Sequence, residues 1–168
     1  MVAAAVVAYE LMPGPGPAHV ISTPQHVGDY TQAPALAASM QAAQLRSSIT
    51  SESGGKARHV VDAVYEDSSG PADKAGQQIV LFIGGNRSGS SASSFIASFT
   101  GNLQGAVATS PGSLGGAAAC VPSVSGRPAE CAWADDDTFG LVASPTLSAQ
   151  GLADELRQLR PQVEHLAK

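Results

Sequence analysis

The chain has 168 residues, a formal net charge of −5 and only 14% charged side chains. Nucleic-acid binding needs a basic surface that displaces counterions, and a polybasic hold on anionic lipid needs the same, so the balance argues against both. An apolar content of 43%, beside frequent Gly and Pro, is too high for disorder throughout and fits one packed domain with irregular ends.

Residues 1–18 read as an apolar stub followed by a linker, and residues 19–168 as a single domain. The stub, MVAAAVVAYELM, is shorter than the roughly 20 residues a membrane-spanning helix needs. It also lacks the positive start and small-residue cleavage site of a complete signal peptide. Two readings stand: the outer end of a transmembrane helix that begins upstream, or an apolar tail that packs on its own domain or on a partner. The following PGPGPA can hold neither a helix nor a ladder.

The domain opens with HVIST as a strand ended by Pro24, and VGDYTQ returns as a second short strand. Pro34 suits the first position of a helix. Leu36, Met40, Ala43, Leu45 and Ile49 recur at helical spacing until Gly54-Gly55 stops them. HVVDAVY (59–65) is rich in β-branched residues, and QIVLFI (78–83) is a continuous apolar run. The spacing predicts adjacent antiparallel strands, the second central and buried on both faces. Phe95, Ile96 and Phe99 predict a helix over 91–100. Strands are expected at 103–109, 117–121, 130–134 and 138–143. Leu152, Leu156, Leu159, Val163 and Leu166 give a closing amphipathic helix, with a kink or break at Pro161.

The expected fold is α+β in the order β-α-β-β-α-β-β-β-α. An antiparallel sheet would carry helices on one face, as a two-layer sandwich with one disulfide hairpin. Its first six elements match a split βαβ, ferredoxin-like unit, a topology that selects no function.

Cys120 and Cys131 are the only cysteines. A disulfide, a half-built metal site and two free thiols are the alternatives. Zinc needs further ligands, and no histidine lies close in sequence, so the pair is read as a disulfide and the domain as folding outside the cytosol. Trp133, two residues on, shares a strand face with Cys131, and an indole beside a disulfide is a common core device. Asp135-Asp136-Asp137 lacks the alternating ligands of a calcium loop and reads as a solvated turn.

The Gly84–Ser90 loop follows a strand and precedes a helix, but Ser90 stands where a phosphate loop needs Lys, so it reads as a flexible turn. The four histidines are scattered, no G-x-S-x-G occurs, Ser53-Gly-Gly-Lys56 lacks its companion motifs, and the acids form no convincing pair. No catalytic residue, metal ligand or cofactor is therefore assigned. Trp133 and Arg87 remain as the candidate binding residues.

Five stretches carry a resemblance: TP..VGDY, AVYED, LGGAAAC, AECAWADDDTFGLVASPTLS and LADELRQLRPQVE. Over His19 to Glu164 they resemble uncharacterised actinobacterial envelope proteins, the C…CAWAD element being the most specific part. Those look like extracytoplasmic domains held by one transmembrane helix, often behind a Pro/Gly-rich cytosolic segment. The resemblance implies location and fold, and no activity.

The expected function is a non-enzymatic extracytoplasmic interaction domain, membrane-associated or secreted. It would be an accessory or sensory part of an envelope assembly that meets its partner through Met1–Met12 or the sheet face. The alternative is a small-ligand binding module using the sheet face or the Gly84–Ser90 loop, favoured by a pocket lined by Trp133. A hydrolase with a spatially assembled site is third.

Overall fold

The computed structural model describes residues 18–67, 77–101 and 103–168; the apolar stub and most of its linker lie outside them. The described chain is α+β. An eight-stranded antiparallel sheet has the order β2-β3-β4-β5-β9-β8-β7-β6. Its strands are β2 His26–Val27, β3 Tyr30–Gln32, β4 Ala57–Asp67, β5 Ile79–Arg87, β6 Val107–Thr109, β7 Ala117–Val121, β8 Ala129–Ala134 and β9 Thr138–Ser144. The helices are α1 Pro34–Ser39, α2 Ala42–Glu52, α3 Ala92–Thr100 and α4 Ala149–Val163. A separate antiparallel ladder joins β1 His19–Ile21 to β10 Glu164–Leu166.

Most elements lie where their sequence patterns put them. β4 and β5 are antiparallel neighbours, and β5 sits inside the sheet with Val80 to Arg87 buried. Pro34 occupies the start of α1, and Gly54 and Gly55 end α2 with positive φ. Ser91 and Ser148 cap α3 and α4 by accepting from Ser94 N and Gly151 N.

The layering differs from expectation. Side chains alternate across β5, so Val80 and Phe82 join the core under α4 while Leu81 and Ile83 face α1 and α2. Ile96 of α3 packs with Ala132, Ala134 and Phe139 on that second side. Helices cover both faces, giving three layers rather than two. The strand expected first in the sheet lies outside it in the β1–β10 ladder, and β3 and β4, joined through α1 and α2, are direct neighbours with no strand inserted between them, so the ferredoxin-like topology does not hold.

Three local expectations change for identifiable reasons. The helix after Pro34 breaks into α1 and α2 where Gln41 takes φ 56°. The glycine loop is mostly strand, since β5 runs on through Arg87. Pro161 does not split α4 into two helices. The helix ends at Val163, and the chain turns into β10, which leaves Leu166 exposed instead of on the apolar stripe.

Some glycines in the sheet are sites of close approach. A Cβ at Gly140 would lie 2.1 Å from the Trp133 ring, and one at Gly85 would lie 2.7 Å from Arg58 O. Opposite Gly85, β4 bulges between Arg58 and Val61, and His59 takes φ 49°.

Candidate functional site

Cys120 and Cys131 face each other across β7–β8 and are disulfide-bonded, with Cα atoms 4.0 Å apart. Trp133 shares their face and is fully buried. Its ring lies over Gly140 and stacks on Phe82 at 5.8 Å. Trp133 lies in the core, as its core reading has it, and lines none of the concavities described below.

The aspartate turn is a turn, but two of its three acids are partly buried and hydrogen-bonded within the fold. Asp135 Oδ1 accepts from Thr138 N (2.7 Å), Thr138 Oγ1 (2.9 Å) and Asp137 N (3.1 Å). Asp135 Oδ2 accepts from the buried Arg160 at 2.7 Å. Arg160 also donates to Glu164 Oε2 (2.7 Å), Gly115 O (2.6 Å) and Pro111 O (3.2 Å). Its guanidinium lies 5.8 Å from the Trp133 ring centre.

Burial pushes the Glu164 carboxyl up, with Arg160 opposing it. Burial also pushes Asp135 up, but hydrogen bonds from Glu164, from Thr138 and from the Asp137 N–H outweigh it and hold Asp135 down to about 2. One arginine and a two-acid pair thus pin the β8–β9 turn to α4.

A polar cleft of about 590 Å³ opens between this turn and the β4 bulge. Asp137 accepts from His19 N (2.8 Å) and lies 3.3 Å from His19 Nδ1. Asn86 Nδ2 donates to His19 O (2.7 Å) and Asp137 O (3.3 Å). Arg87 is buried; its terminal nitrogens donate to the carbonyls of Asp135, Ser90 and Ser91, and its guanidinium lies 5.4 Å from the Phe95 ring centre. Arg87 is therefore a strut that joins the turn to the start of α3, and little of it is left for a ligand. Ligand atoms of His19, Asp135 and Asp137 lie within 4.8 Å of one another. Both oxygens of Asp135 and both of Asp137 already hold protein donors, which is a poor starting point for a cation.

A second concavity lies on the opposite face of the sheet. α2 covers β4, and α3 covers β7 and β8, which leaves the strip over β5 and β9 open between them. Leu81, Ile83 and Leu141 form the floor, Leu45 and Ile49 of α2 one wall, and Phe99 of α3 the other. Phe95 and Phe139, 5.4 Å apart, continue the groove toward a mouth with Lys56, Glu52 and Ser90. The two ends hold about 160 and 420 Å³ and share Ile49, Phe99 and Leu141. The floor from Leu81 to Arg87 spans about 20 Å at the rise of a strand.

No family model, curated protein or solved structure matches the chain. The fold and its concavities define an α+β domain with a sheet-floored groove walled by helices. The disulfide is compatible with an extracellular location, and among the described residues no helix is long and apolar enough to cross a membrane.

Sequence reasoning missed Glu130, Leu45 and Leu141 as groove residues, and missed the His19–Asp137 pair. One signal was available: Glu130 is the acid on a strand face otherwise made of Ala132 and Ala134. The histidine–aspartate pair, 118 residues apart, had none.

Proposed function

We propose that this domain is a non-enzymatic, extracytoplasmic binding module. It takes a small apolar or amphipathic ligand into the groove between α2 and α3, and acts as a sensory or accessory part of a cell-envelope assembly. The observation that carries the reading is the uncovered apolar strip over β5 and β9. Leu45 is 44% exposed on its wall, and Leu141, Ile49 and Phe99 are only partly buried. A sheet face left open between two helices is concave and apolar, which are the usual features of a ligand site. The polar cleft supports binding over chemistry in its own way: its Arg87, Asp135 and Asp137 side chains are engaged by the fold, and among the described residues no serine hydroxyl is hydrogen-bonded to His19.

The disulfide and the likeness to actinobacterial envelope domains support the compartment. Contact with a membrane protein partner through Met1–Met12 belongs to the same proposal, although those residues lie outside the described part. The test is fluorescence titration with the neutral apolar dye N-phenyl-1-naphthylamine. The wild type should bind it saturably, and Leu45→Arg, at an exposed position, should weaken binding about tenfold, the equivalent of 1.4 kcal/mol, with the melting temperature kept. No saturable binding, or equal binding by the variant, overturns the groove as the site.

The hydrolase reading has one observation in its favour, the His19–Asp137 pair on the same cleft as Ser88. Turnover of an ester that is lost in both His19→Ala and Ser88→Ala would establish it over the binding module.

A further inference from the structure

We infer that the groove selects a cationic amphiphile, a small molecule with an alkyl or aryl body and a protonated amine that meets Glu130. This rests on the binding-module reading above. Glu130 lies on β8, paired with Ala143 of β9 and Val121 of β7. Strand alternation puts Cys131 and Trp133 on the α4 face and turns Glu130 to the groove face with Ala132 and Ala134. It lines the end of the groove held by Leu45, Leu81 and Phe99, and every other residue lining that end is apolar.

Among the described residues, the Glu130 carboxylate has no hydrogen-bond or ion-pair partner. Arg127, on the turn between β7 and β8, is the one charged group acting on it, and the two form no ion pair. A carboxylate held partly out of water without a partner is costly, and a donor that carries positive charge relieves that cost best. An anionic amphiphile would meet repulsion there, on a chain that already carries −5. The opposite mouth has both Glu52 and Lys56 and so imposes no single sign. A ligand with its head at Glu130 lays its body along Leu141 and Phe99 toward Phe95. The small side chains of Ala132 and Ala143 leave the carboxylate accessible from the groove.

The test is displacement of N-phenyl-1-naphthylamine from the full chain, disulfide intact, by octylamine and by 1-octanol, its neutral counterpart. At neutral pH the wild type should prefer the amine by about tenfold, as a charge-assisted hydrogen bond implies. Glu130→Gln should bring that ratio close to one and leave octanol unchanged. A second readout needs no variant. Burial pushes the Glu130 carboxyl up, with Arg127 opposing, so the amine's preference in the wild type should vanish as the pH is lowered and the acid is neutralised, with octanol again unchanged. Equal affinity for the two probes in the wild type overturns the cationic ligand while the groove stands. So does a preference that survives both Glu130→Gln and acid. Displacement by neither probe, with no dye bound, overturns the groove as well.

Discussion

Replacing Arg160 by Met tests the charge cluster that joins the β8–β9 turn to α4. Arg160 is 1% exposed and holds two carboxylates, Asp135 and Glu164, together with the carbonyls of Gly115 and Pro111. Methionine fills a similar length but leaves Asp135 ionised, without its cation, in a site only 14% exposed. Breaking a buried pair by removing one partner costs about 3–5 kcal/mol, a large share of a total stability of roughly 5–15 kcal/mol. For a domain of this size that is a drop in melting temperature on the order of 10 °C.

The assay is urea unfolding followed by the fluorescence of Trp133, the only tryptophan, whose indole is fully buried in the fold. The midpoint should fall and the slope stay constant. A triple change, Arg160→Met with Asp135→Asn and Glu164→Gln, removes the stranded charges and should recover most of the loss. A single-variant loss below about 1 kcal/mol, the value of an exposed pair, would refute the claim that the cluster is a buried anchor.

The same cluster predicts the pH profile. Asp135 is held below its ordinary value, so its stabilisation is present above about pH 4 and lost as pH falls toward about 2. Glu164 is shifted up, so its contribution is present in acid and lost as pH rises through the raised value. Asp135→Asn should therefore flatten the acid limb of the urea midpoint, and Glu164→Gln should remove the fall on the other side. Gly140→Ala drives a methyl into the Trp133 ring in the middle of the sheet, and a calorimetric scan should show a loss of about 3 kcal/mol. Replacing Cys120 and Cys131 together by Ala opens a link between residues 11 apart and should lower the urea midpoint by the equivalent of about 2–3 kcal/mol.

The sequence by itself determined nearly every element of secondary structure, because each carries a local signal. Apolar runs and alternation mark β4, β5, β8 and β9, Pro34 and Ser148 mark helix starts, and Gly54-Gly55 marks a stop. It also determined the disulfide, since two cysteines across a short loop have few other uses, and the core role of Trp133 beside it.

Tertiary structure decided which face each helix covers, and the reason is physical. A strand that is apolar on both sides, such as QIVLFI, specifies burial but not what buries it, so one helix layer and two were equally compatible with the pattern. The positions of α2 and α3 left the strip over β5 and β9 open, and only that gap turns Leu45, Leu141 and Phe99 from core filler into a groove. Glu130 was visible as an acid in an alanine strand, yet its place on the groove floor depends on the register with Ala143. The aspartate run was legible as a turn; that Asp135 anchors Arg160 and Asp137 meets His19 depends on chain segments 25 and 118 residues away, which no local pattern encodes.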